Sequence, residues 1–161
     1  MTSHERSSPL TSLLPSLLNF SVLSLKKILP YVDCLVGNEA ETDAWASANG
    51  LPDPRGLPTV AKVPTQQPKP NPTRIRVVIF THGDQSTIAV SSSSPGNVKM
   101  YAVNAPKDKE IVDANGTGDV FEGGLVGGLA VGRLLDEAIE AVTLWVLCVL
   151  RRWNRSTSGR R

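Results

Sequence analysis

The chain has 161 residues, enough for about one domain with a real core, and its 40% hydrophobic and 20% charged residues exclude a wholly disordered polymer. Seventeen Lys+Arg against 15 Asp+Glu leave a formal charge of only +2, so the molecule as a whole lacks the electrostatic footprint of a nucleic-acid binder. No membrane span is expected: the longest uncharged apolar run near the C-terminus, AVTLWVLCVL, is about half of what a spanning helix needs.

The opening PLTSLLPSLLNFSVLSLKK is apolar but makes a poor signal peptide. Glu5 sits in the would-be basic region, Pro15 interrupts the run, and no small-x-small cleavage site precedes KKILPYVD. The leucine spacing over residues 10–29 predicts an amphipathic helix, kinked at Pro15 and stopped by Pro30. VDCLVG, residues 32–37, has a buried-strand pattern, and EAETDAWASANG then offers good helix formers closed by Gly50. Seven of the chain's 12 prolines fall in residues 51–73, which reads as a surface linker with a short helical turn near residues 59–62.

RIRVVIFTHG, residues 74–83, is a continuous β-branched run of the kind a doubly covered parallel sheet demands. STIAV and VKMYAV flank SSSSPGN and predict a hairpin, and KEIVD is a last short strand. It leads into DANGTGD and a long apolar helix that begins near Asp119 and is interrupted around Gly132. This alternation is an α/β layout with a mostly parallel sheet.

Cys34 and Cys148 belong to no C-x-x-C pair and lie in apolar runs, so both are expected to be small buried hydrophobes in a reducing compartment. The sequons at Asn19, Asn115 and Asn154 read as coincidence, and the five arginines of the last 11 residues as a solvated terminus.

DANGTGD carries chemistry. A glycine-rich turn at the carboxyl end of a strand stands where open α/β sheets bind ligands. Gly116 and Gly118 permit a backbone path that points the amides of Gly116, Thr117 and Gly118 at one anion, and the following helix adds its positive dipole end. Asp119 beside a phosphate would repel it, unless it accepts the proton of an attacking hydroxyl while the amides stabilise a transferring phosphoryl group. On these residues alone, an Asx-turn at Asp113 and a helix cap at Asp119 explain the pattern equally well.

DANGTGD followed by FEGG resembles the D-T-x-G-A-G-D signature of the ribokinase (PfkB) family of sugar and nucleoside kinases, with Asn115 as in its adenosine-phosphorylating members. ILPYVDCLVGNEAE resembles the strand that leads to the family's N-x-x-E motif, here Asn38 to Glu41, and RVVIFTHGDQSTIAV its T-x-G strand end, here Thr81 to Gly83. The three segments occur in the family's order within residues 24–141, while residues 1–23 and 142–161 do not match and the linker at 51–73 matches poorly.

The resemblance implies a ribokinase-like fold, incomplete at both ends, and ATP-dependent phosphorylation of the adenosine 5′-hydroxyl to AMP in purine salvage. It implies Asp119 as general base, Gly116, Thr117 and Gly118 as the anion hole, and Thr81, Gly83 and Asn115 at the ATP site. Asn38 and Glu41 would organise Mg²⁺, mostly through water, as suits that ion beside nucleotide phosphates. Asp113 is expected to be structural and His82 to have no role; Glu122 stands where the family has an apolar residue, and Trp145 and Leu147 stand where it has small ones. Adenosine and ATP are the expected partners, with neither nucleic acid nor membrane, and the cytoplasm, with the nucleus also open, is the expected compartment. A related sugar kinase, a nucleotide-binding fragment without turnover, and an RNA-binding arginine tail whose affinity collapses with salt stay open as alternatives.

Overall fold

The structure is a computed structural model that describes residues 25–54, 56–103 and 116–158. The expected helix over residues 10–24, the strand at 109–113, Asp113 and Asn115 lie outside the described residues. The elements run β1 (Cys34–Gly37), α1 (Glu39–Ala48), α2 (Leu57–Thr65), β2 (Val77–Phe80), β3 (Ser86–Ser91), β4 (Val98–Ala102), α3 (Thr117–Ala130) and α4 (Leu135–Ser158). Residues 25–28 are helical and tighten into a 3₁₀ turn at Leu29–Tyr31, where Pro30 ends the helix as expected.

The four strands form one sheet in the order β1-β2-β3-β4. β1 and β2 are parallel, with Cys34 opposite Val77 and Gly37 opposite Phe80. A parallel pair needs a long crossover, which α1 and α2 supply. β2, β3 and β4 then follow one another through short loops, so the sheet is mixed. Contacts divide the chain into two compact units, Met1–Phe80 with Ala89–Val98, and Thr81–Ile88 with Lys99–Arg161.

In the first unit, α2 corrects the sequence expectation. The proline-rich stretch is a largely exposed connection only over residues 66–73: its predicted turn is the middle of a nine-residue helix that packs on β2 and α1. Leu57, Val60, Ala61 and Pro64 recur at helical spacing and are buried, a pattern strong enough to override the prolines. Pro58 costs nothing in the first turn, where its missing N–H has no partner to lose, and Pro64 comes in the last turn.

Arg76, at the entrance to β2, is fully buried. Its Nε donates to the Val32 carbonyl at 3.0 Å, Nη1 to those of Pro64 and Gln67 at 2.6 and 2.8 Å, and Nη2 to that of Leu29 at 2.6 Å. One guanidinium thus ties the 3₁₀ turn, the chain entering β1 and the end of α2 to β2. Burial pulls its pKa below the ordinary arginine value, opposed by the charge of Asp33. Asp33 is paired with Lys69 and Arg74, and the hydrogen bond from Lys69 is the main cause that holds its carboxyl below the usual range.

In the second unit, α3 and α4 form a helical hairpin. The interruption expected near Gly132 is the end of α3, where Gly132 takes φ +85° and the Arg133 amide donates back to the Gly128 carbonyl at 3.1 Å. The glycine spacing of α3 has two distinct causes. A Cβ on Gly124 would lie 2.5 Å from Val142 Cγ2, and one on Gly128 would lie 3.2 Å from Ala138 Cβ, so these two let α4 approach. Gly123 and Gly127 face open space. Asp136, in the first turn of α4, accepts from Tyr101 Oη at 2.5 Å and from Lys99 Nζ at 2.6 and 2.9 Å, which fastens that helix to β4.

Cys34 and Cys148 are both exposed, against expectation. Cys34 opens β1, the outermost strand of the sheet among the described residues, and Cys148 is exposed on α4 next to the buried Leu147. An apolar run in sequence does not say which of its members faces the core.

Candidate active site

The sequence-predicted residues fall into three local groups, each built by its own backbone. The first lies at the carboxyl end of β1. Gly37 is buried opposite Phe80, and the chain turns at Asn38 into α1. The Asn38 side chain accepts the Glu41 amide at 2.9 Å, while the Glu41 carboxylate accepts the Asn38 amide at 2.9 Å. This is a complete capping box, which satisfies two amides that the helix itself leaves unbonded. The N-x-x-E spacing is therefore first a helix start signal. Thr42 reinforces it, donating from Oγ1 to the Asn38 carbonyl at 2.7 Å.

Asn38 and Glu41 are exposed, and the bond to Asn38 engages only Oε2 of the carboxylate. Among the described residues no three His, Cys, Asp or Glu side chains converge on a point. An exposed carboxylate at a strand end cannot cage a metal alone, but it fits an ion that keeps most of its waters and shares phosphate oxygens, the habit of Mg²⁺ beside a nucleotide.

The second group follows β2. Thr81 and His82 are half-buried, and the chain turns back through Gly83, whose φ of +51° is a left-handed conformation that a side chain would strain. The Gln85 amide closes this turn on the His82 carbonyl at 2.8 Å.

The third group is the first turn of α3. Gly116 stands at the helix cap with φ +78° and ψ 0°, again left-handed, and this sharp turn sends the chain into the helix at Thr117, two residues ahead of the expected start. The first amide to join the helical ladder is that of Val120, which donates to the Gly116 carbonyl at 3.0 Å. Gly116 supplies no capping side chain, and the positive end of the helix dipole lies at this turn. Among the described residues, a Cβ at Gly116 or Gly118 would meet nothing within 4 Å. Asp119 is exposed in this turn, so a carboxylate and the start of a helix lie within the four residues 116–119. Glu122 is exposed one turn further along.

The structure thus brings Asn38 to Glu41, and Gly116, Thr117 and Gly118 to Asp119. Thr81 and Gly83 form a separate turn, and Asn115 lies outside the described residues. Sequence reading missed Arg76 and the Lys99–Tyr101–Asp136 cluster, whose partners lie far apart in the chain and carry no local pattern.

Comparison with known proteins gives a consistent set of likenesses. The profile of the family described as "pfkB family carbohydrate kinase" matches residues 8–150. The chain is 49% identical to an adenosine kinase of Schizophyllum commune over 127 residues, 79% of this chain and 37% of that protein, and 34% identical to an adenosine kinase of Schizosaccharomyces pombe over 125 residues, 78% of this chain and 36% of that one. Among solved structures, an Anopheles gambiae adenosine kinase, determined with a di(adenosine) tetraphosphate, aligns with a TM-score of 0.79 at 31% identity over 86% of this chain and 40% of that one. The ribokinase of Thermotoga maritima, at 22% identity and a TM-score of 0.64, shares the fold. The chain spans about two fifths of the length of these relatives.

Proposed function

This chain belongs to the pfkB family of carbohydrate kinases, and from that premise we propose that it carries the phosphoryl-transfer machinery of an ATP-dependent adenosine kinase, producing AMP for purine salvage in the cytoplasm. The observation that carries the reading is the first turn of α3, where left-handed Gly116 opens the helix end and Asp119 stands exposed beside it. The identity to adenosine kinases, at 49% and 34%, favours adenosine over a sugar as the acceptor.

In this reading Asp119 takes the proton of the adenosine 5′-hydroxyl as its oxygen attacks the γ-phosphorus of ATP. The amides of Gly116, Thr117 and Gly118 receive the negative charge that spreads over the transferring phosphoryl oxygens. The turn through Thr81 and Gly83, with Asn115, borders the bound ATP. Asn38 and Glu41 would hold the waters of Mg²⁺, which when bound neutralises phosphate charge.

ADP release by the chain with Mg·ATP, with and without adenosine, tests the reading beside an Asp119→Asn control. Adenosine-dependent release that disappears in the control is the expected result. A second reading is nucleotide binding without turnover. ATP binding by a folded sample with no ADP release would select it.

A further inference from the structure

A cleft of about 650 Å³ opens between the 3₁₀ turn, the end of α1 and the chain that follows α2. Leu29, Trp45, Pro68 and Pro70 give it apolar walls, and Lys26 and Lys69 are its only charged residues among those described. An apolar hollow of this size with a few polar groups is the ordinary form of a small-molecule site.

Its walls are fixed from behind. The fully buried Arg76 donates to the carbonyls of Leu29 and Gln67, at 2.6 and 2.8 Å, and so ties two lining residues to β2. Arg76 directly precedes Val77, which lies opposite Cys34 at the amino end of the parallel β1 and β2. The cleft therefore sits at that end, the length of β1 away from Asn38 and Glu41 at the other, and is separate from the groups described above.

The lining also defines what would bind. The Lys69 ammonium is already paired with Asp33 and its side chain is almost wholly buried. The charge left for a guest is that of Lys26, which is exposed and has no ion pair among the described residues. With no carboxylate among the described lining residues, the cleft favours an anion. Trp45 supplies a second, independent requirement. It is 7% exposed, and its Nε1 is a buried donor without an acceptor. An indole N–H can only donate, and a buried donor left unanswered is a standing cost to the fold. An oxygen on the guest would answer it, while a flat ring would lie against the indole and the proline rings.

We propose that this cleft binds a small aromatic anion, a flat ring bearing a carboxylate or a phosphate, whose oxygens accept from Trp45 Nε1 and pair with Lys26.

Calorimetric titration of the full chain with 1-naphthoate, 1-naphthyl phosphate and the neutral 1-naphthamide tests this. Saturable binding of at least one anion, several-fold tighter than that of the amide, is expected, and the tighter of the two anions identifies the acidic group. Lys26→Gln should weaken the anion about threefold, as an exposed charge pair does, and leave the amide unchanged. Trp45→Phe keeps a ring in the wall but removes the N–H, and should weaken the anion roughly tenfold. Thermal unfolding checks that each variant is folded, and Lys26→Gln decides alone if Trp45→Phe is not. Absence of saturable anion binding by the folded wild type overturns the proposal, as does equal affinity for the amide. Anion binding that survives the substitutions unchanged places the guest elsewhere and overturns it too.

Discussion

Asn38 and Glu41 hold each other's backbone amides at 2.9 Å, so the two residues that family resemblance assigns to magnesium also form the capping box of α1. The capping role of Glu41 and its proposed magnesium role are therefore separable by substitution. Glu41→Gln keeps an oxygen for the Asn38 amide and is expected to change stability by less than about 0.5 kcal/mol, whereas Glu41→Ala loses half of the box and costs about 1 kcal/mol. Both remove the carboxylate charge, so both are expected to raise the Mg²⁺ concentration needed for adenosine-dependent ADP release. Urea unfolding beside a magnesium titration checks this: a Gln variant with unchanged magnesium dependence would reduce Glu41 to a cap.

The glycines of α3 predict opposite signs for one chemical change. Gly124→Ala would put a methyl group 2.5 Å from Val142 Cγ2, and overpacking of this kind costs about 1–3 kcal/mol. Gly127 faces open space in the same helix, so Gly127→Ala gains helix propensity and stabilises by up to about 1 kcal/mol. Thermal midpoints of the two variants should fall on opposite sides of the wild type. Two shifts of the same sign would mean that α3 and α4 do not pack as described.

Arg76 is expected to be the least replaceable side chain of the first unit. Its guanidinium answers four backbone carbonyls in a fully buried position. Arg76→Met fills much of the volume but leaves those carbonyls unpaired, at a cost of about 1–3 kcal/mol for each group left wholly unsatisfied. Loss of about 3 kcal/mol or more is expected, a large part of an ordinary domain's stability. Arg76→Lys keeps the charge but has no planar fork to reach all four acceptors, so it should recover only part of the loss. Chemical denaturation of both variants decides, and a Met variant as stable as the wild type would show that water satisfies the carbonyls instead.

What could be read in the sequence, and what could not, follows from the range of the forces involved. β1, β2, the β3–β4 hairpin and the α3–α4 break at Gly132 came from patterns within one element, where apolar spacing and glycine act locally. The same was true of the Asn38–Glu41 and Gly116–Asp119 groups, whose members sit within four residues. α2 was missed because seven prolines outweighed the buried positions 57, 60, 61 and 64, although Pro58 and Pro64 stand near helix ends that tolerate them. Arg76 was unreadable because a strand arginine flanked by Ile75 and Val77 looks like a solvent-facing residue, and its acceptors are backbone atoms up to 47 residues away. The two cysteines were misjudged because an apolar run does not disclose which side of a strand or helix each residue takes.

The Tyr101–Asp136 bond predicts a fall in stability at both ends of the pH scale, with different residues responsible. Lys99 first, then Tyr101, hold the Asp136 carboxyl below its ordinary value. A depressed carboxyl contributes stability that is present above its unfolded value of about 3.9 and lost as pH falls through the lower folded value. Burial first, then the bond to Asp136, push the Tyr101 hydroxyl far above its ordinary value of 10.0. A raised phenol contributes stability that is complete below about pH 10 and lost as pH climbs above it. Tyr101→Phe should cost about 1 kcal/mol near neutrality, since Asp136 is half exposed and keeps Lys99. The variant should also lose stability less steeply than the wild type above pH 10. The comparison is between slopes, measured by thermal unfolding from pH 8 to pH 11. Parallel slopes in the two proteins would remove Tyr101 from the alkaline transition.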